Sequence, residues 1–156
     1  MSDVDSVFLA VSGSPAEVAA WVVDDIGAEV MAAEGDVVRL RARGVTVDQW
    51  LGVVVQPNGF AEVDPEPDEV QAMDAYGIEV QVRGGGEALR AEADLIFQKL
   101  IDRRPSVPML LLTNLDTLVA AHLPEAGTHF FEQPISPDEP DAEAWRPWVL
   151  GRPDGR

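Results

Sequence analysis

Apolar residues recur along the chain with several different spacings, and each spacing predicts a different kind of element. Residues 7–11 form a short continuous apolar run that stops at Ser12-Gly13, the pattern of a buried strand closing in a turn. Behind it, Val18, Ala19, Val22, Val23 and Ile26 return at helical spacing. Ser14 is a favoured N-cap, Pro15 suits the first helical position, and Glu17, three residues after the serine, completes a capping-box pattern. Gly27 is placed to end that helix in a left-handed conformation.

Residues 29–33 then predict a short strand and residues 34–36 a turn. Val38, Leu40 and Ala42 alternate with Arg39, Arg41 and Arg43, so a strand there sends three apolar groups inward and three guanidinium groups outward. A second β-rich stretch covers residues 45–55, with an irregularity at Asp48-Gln49, and Pro57-Asn58-Gly59 turns the chain. Residues 77–83 read as a half-buried strand. Gly84-Gly85-Gly86 leads into a helix over residues 87–102, whose apolar stripe is Leu89, Ala93, Ile96, Phe97 and Leu100 and which Pro105 stops. Residues 109–112 are continuously apolar, as in a central strand covered on both faces. A short helix over 116–122, ended by Pro124, and a strand over 128–132 complete the expected elements.

That order predicts an α+β fold in which a mostly antiparallel sheet carries two main helices on one face. A doubly wound parallel sheet is the alternative. The domain is expected to span residues 1–133. Beyond it, residues 134–156 hold Pro134, Pro137, Pro140, Pro147 and Pro153, a density that disfavours regular structure. Trp145 and Trp148 are the groups that can dock this tail on the domain or present an anchor to a neighbour.

Charge narrows the functional classes. The 156 residues carry 28 Asp plus Glu against 11 Lys plus Arg, a formal net charge of −17. Broad binding to nucleic-acid phosphates or to an anionic membrane surface needs the opposite balance. No cysteine is present, so disulfides, thiolate metal sites and a cysteine nucleophile are excluded. No apolar run approaches the roughly 18 residues of a membrane span, and the acidic first residues lack the basic start of a signal peptide. A cytoplasmic protein is the expectation.

The acids are unevenly placed. Glu62, Asp64, Glu66, Asp68, Glu69 and Asp74 fall within thirteen residues, with Pro65 and Pro67 among them, which predicts an exposed loop or short helix. The alternation of acids resembles a calcium loop, but the prolines and the missing central glycine do not fit one, so no metal is expected. The six acids are instead the expected contacts for a protein partner. The Arg39, Arg41, Arg43 row is read as a solvent-facing strand paired with acids such as Glu79, with anion binding as the alternative. Gly84-Gly85-Gly86 reverses the chain; no GK[ST] follows it, and Glu87 stands where a phosphate would approach. His122 and His129, with Asn114, Asp116 and Glu125, are the candidates for acid–base chemistry, but the histidines lack helical ligand spacing. Ser12, Ser14 and Ser106 have no GxSxG context. Trp21 and Trp50 are assigned to core or half-buried packing. No cofactor is expected.

The passage ALRAEADLIFQKL at 88–100, followed by PMLLLTN at 108–114 and LVAA at 118–121, resembles small acidic actinobacterial proteins of the immunity type. The resemblance covers about a third of the chain and assigns no binding residue. It implies a non-enzymatic inhibitor that neutralises a toxin by plugging a basic active site. Together with the charge it sets the expectation of an acidic protein-binding domain, an immunity or antitoxin-like inhibitor of a cationic toxin or nuclease. An oligomeric assembly subunit, or a small ligand-binding domain or enzyme, is the alternative.

Overall fold

A computed structural model describes residues 4–59 and 70–151. Eight strands form one sheet: β1 (Val4–Leu9), β2 (Glu29–Glu34), β3 (Val37–Arg43), β4 (Trp50–Pro57), β5 (Ile78–Arg83), β6 (Met109–Thr113), β7 (Thr117–Leu123) and β8 (Gly127–Ile135). They lie in the order β2-β3-β4-β5-β1-β6-β7-β8, and every neighbouring pair is antiparallel. Helices α1 (Pro15–Ile26) and α2 (Leu89–Arg103) pack on one face, so the fold is α+β with the two main helices as the apolar pattern predicts. The first strand lies inside the sheet, paired on one side with β5 and on the other with β6. Helix α1 carries the chain from β1 to the outer strand β2, and three hairpins bring it back.

The local signals that define α1 act as chemistry requires. The Glu17 amide donates to the Ser14 hydroxyl at 3.2 Å, and the Gly27 amide, at φ 73°, closes on the Val23 carbonyl at 3.0 Å. The cap is exposed, so Ser14→Ala should lower stability by about 1 kcal/mol in a denaturant titration with an unchanged m-value.

Two clusters of buried side chains lie on the two faces of the sheet. On the helix face, Val7, Leu9, Leu40, Val53, Val80 and Leu111 meet Val18 and Val22 of α1 and Ala93, Phe97 and Leu100 of α2. On the other face, Phe8, Leu110, Leu112 and Leu118 are covered by Ala72, Met73 and Tyr76 and by the C-terminal segment through Ala142, Trp145 and Val149. Strand β8 runs on through Ile135, and the chain beyond it forms short turns of helix, including α3 (Ala142–Trp145), against this face. Tyr76 is fully buried; its hydroxyl accepts the Leu150 amide at 2.9 Å, and burial pushes its ionisation up to about 12.

Two expected elements differ. Residues 117–123 form β7 rather than a helix. Asn114 and Leu115 both hold positive φ (51° and 62°), and the Asp116 amide bonds the Thr113 carbonyl at 3.2 Å. This three-residue loop, with its first two residues left-handed, has the twist that returns a strand as a hairpin, and it overrides the weak helical texture of Val119, Ala120 and Ala121. Residues 44–49 form a loop rather than the start of β4. The buried Glu92 carboxylate of α2 accepts the Val45 amide at 2.9 Å and also takes the Thr46 amide and hydroxyl, so this loop bonds to a helix instead of a strand.

Candidate functional site

Opposite the helices, the half of the sheet made by β3, β4 and β5 carries polar side chains instead of a second apolar layer. Alternation places Arg39, Arg41 and Arg43 of β3, Trp50, Gly52, Val54 and Gln56 of β4, and Glu79, Gln81 and Arg83 of β5 on this face. Strand register aligns them in rows across the strands: Arg43 beside Trp50, Arg41–Gly52–Arg83, Arg39–Val54–Gln81, and Gln56 beside Glu79.

At one end of this face, Glu79 is 1% exposed and fully engaged. Its carboxylate accepts the Ser6 hydroxyl at 2.8 Å, the Gln81 amide at 3.0 Å and the Gln56 amide at 3.0 Å. Arg83 in turn donates to the Gln81 side-chain carbonyl at 2.7 Å. A buried carboxylate persists when hydrogen bonds replace its lost hydration, and three neutral donors do so here. Glu79 is therefore not the partner of the arginine row that the sequence suggests. Arg41 pairs instead with Glu29 on β2 at 2.8 Å, and Arg43 with Asp48 in the neighbouring loop. Both guanidinium groups also lie over Trp50, at 4.0 Å and 5.3 Å from its ring centroid. Trp50 is 43% exposed, so it is no core residue: it belongs to this surface, where the two arginines pack on its ring.

The other candidate residues have structural employment. His122 bridges the Thr128 hydroxyl and the Pro105 carbonyl, each at 2.8 Å. Because a carbonyl only accepts, Nε2 carries the proton in that pairing. Asn114 accepts the Val4 amide at 3.1 Å, and Asp116 accepts the Thr117 hydroxyl at 2.9 Å. His122 stands at the far end of β7 from Asp116, about 20 Å away at strand rise. His129 stacks on Trp148 with centroids 4.1 Å apart and planes 3° from parallel, while Glu125 sits exposed in the β7–β8 turn. The acid–base group proposed from Asn114, Asp116, Glu125, His122 and His129 therefore does not assemble. Among the described residues, no group of three or more His, Asp or Glu converges as a metal site.

Of the six acids singled out as partner contacts, Glu62, Asp64, Glu66, Asp68 and Glu69 lie outside the described residues. Asp74 is described, and it accepts the Gln71 amide at 3.0 Å. Its neighbours Ala72, Met73 and Tyr76 are buried, so this end of the acidic stretch packs on the sheet and is not the exposed loop its composition suggests. Trp145 is 4% exposed and donates to the Asp138 carbonyl at 3.2 Å. Both tail tryptophans thus contact the chain's own domain.

Sequence reasoning missed Gly52, Gln56, Gln81 and Arg83. The alternation of Glu79, Gln81 and Arg83 was visible as one face of a strand, but that this face meets the arginine row depends on register across three strands.

Comparison with known protein families, with characterised proteins and with solved structures finds no match for this chain. No helix of the described residues is long and apolar enough to cross a membrane.

Proposed function

We propose that this chain is a non-enzymatic protein-binding domain whose acidic surface docks a basic partner, in the manner of an immunity or antitoxin-like inhibitor. The observation that carries this reading is where the charges go. Arg103 and Arg104 flank the Asp25 carboxylate, which has no exposed side-chain surface, and Arg41 and Arg43 are paired with Glu29 and Asp48. Asp24, Glu34, Asp36, Glu87, Asp102, Glu125, Glu132 and Glu143 are exposed and make no ion pair among the described residues. A chain of net charge −17 whose bases are partly tied up internally offers a strongly negative surface, which steers a cationic partner and repels nucleic acid. The engaged histidines favour binding over catalysis. The inward-facing Trp145 and Trp148 leave the assembly reading without its exposed anchor.

The test is copurification of the full chain from its own host beside a variant carrying Glu62→Gln, Asp64→Asn, Glu66→Gln, Asp68→Asn and Glu69→Gln. The wild type should retain a basic protein at fixed stoichiometry, and the variant should bind that protein at least tenfold more weakly. A partner of neutral or acidic character, or unchanged affinity of the variant, contradicts the reading.

A further inference from the structure

One position on the polar sheet face has a residue type that neither backbone nor packing explains. Gly52 is exposed in the interior of β4, between buried Leu51 and Val53. A Cβ built there meets nothing nearer than Arg83 Cβ at 3.9 Å, an ordinary contact, and its backbone is not in the left-handed region. A strand-interior glycine weakens a sheet relative to alanine, because its backbone loses more conformational freedom on folding. Where it stands without a conformational reason, close approach of another molecule is the physical use left for it.

Its neighbours in the register indicate what approaches. Arg41 lies on one side of Gly52 and Arg83 on the other, their backbones two strand spacings apart, about 9.6 Å. Arg41 uses Nε for Glu29, and Arg83 uses Nε and Nη2 for Gln81; both Nη groups of Arg41 and Nη1 of Arg83 have no hydrogen-bond partner among the described residues. Trp50 under Arg41 and Gln81 beside Arg83 hold the two guanidinium stems. Arg39, in the adjoining row, is exposed and makes no ion pair among the described residues. Glu29 is a surface partner whose side chain is 54% exposed, and so solvated a pair is weak enough for an incoming anion to replace it.

We propose that Gly52 floors an oxyanion-binding slot between Arg41 and Arg83, which takes a phosphate or a dicarboxylate in the two planar forks. Guanidinium groups match both anions through paired N–H donors. Glu79 is saturated by Ser6, Gln56 and Gln81, and the Gln81 side-chain amide stands between its carboxylate and the Arg83 guanidinium; the wider negative charge of the chain is screened over about 8 Å at physiological salt. The site is independent of the partner proposed above, since it recognises charge of the opposite sign.

Titration of the full chain with inorganic phosphate and separately with succinate, at 0.15 M salt and followed by amide and arginine Nε NMR shifts, tests it. Saturable shifts confined to residues 39–43, 50–54 and 81–83 are expected, and the tighter of the two anions assigns the ligand class. Gly52→Val should keep or raise thermal stability yet weaken binding at least tenfold, because its side chain fills the slot. Arg83→Gln should weaken binding similarly, and Arg90→Gln, on the exposed side of α2, should not. Absence of saturable shifts with both anions overturns the proposal, as does wild-type affinity in Gly52→Val. Should that variant fail to fold, wild-type affinity in a folded Arg83→Gln overturns it equally.

Discussion

Trp145→Ala should lower stability by about 3–5 kcal/mol, the range for removing a large aromatic from a well-packed core. Trp145 is 4% exposed, belongs to the cluster that includes Phe8, Leu110, Leu112 and Tyr76, and its indole donates to the Asp138 carbonyl. Truncation leaves a cavity that the short turns of residues 139–148 fill poorly, and it weakens the segment that brings the Leu150 amide to the Tyr76 hydroxyl. A melting midpoint lower by roughly 10 °C is expected for a chain of this size, together with faster hydrogen exchange at Leu150. Trp148→Ala should have a smaller effect, about 1 kcal/mol, since it loses chiefly a half-exposed stack on His129. Equal effects of the two substitutions would mean that the tail is held some other way.

Removing Glu92 should have an effect of about 3 kcal/mol through a different mechanism. Its carboxylate is buried, and it satisfies the Val45 amide and both the amide and hydroxyl of Thr46. Burial alone raises its ionisation; the Thr46 hydroxyl and the amides of Val45, Thr46 and Val47 outweigh that and hold the carboxyl below its ordinary value. Glu92→Ala leaves those donors without an acceptor and should release residues 44–49, which hydrogen exchange would detect. The pH dependence has a definite sign. A carboxyl depressed in the folded state contributes stability that is fully present above its ordinary value, roughly 4.3, and is lost as pH falls through the folded value. The stability difference between wild type and Glu92→Gln should therefore be largest near neutrality and shrink below about pH 4. A difference constant down to pH 2 would exclude the mechanism.

These side chains show what a single sequence can and cannot disclose. The α1 cap was legible because Ser14, Glu17 and Gly27 act on their own backbone within a few residues, where no tertiary context intervenes. The alternation of Val38, Leu40 and Ala42 with three arginines was legible because its period matches the strand. The β7 strand was not, since Leu118, Val119, Ala120 and Ala121 suit either element once both faces are buried and the two positive-φ residues Asn114 and Leu115 decide the matter. The bonds of Glu92 to residues 46 and 47 positions away, and of Tyr76 to Leu150, join groups whose proximity only the folded chain creates. The polar face falls between these cases: each strand displayed its half, and only the pairing Arg41–Gly52–Arg83 turned the halves into a site.

The acidic surface is the centre of the functional account, and its physical signature is kinetic. For a complex with the basic partner proposed above, the association rate constant measured from 50 to 500 mM salt should fall by at least tenfold while the dissociation rate changes far less, because screening removes long-range steering before it disturbs contacts. An association rate indifferent to salt across that range would contradict the claim that charge brings the partner to this surface.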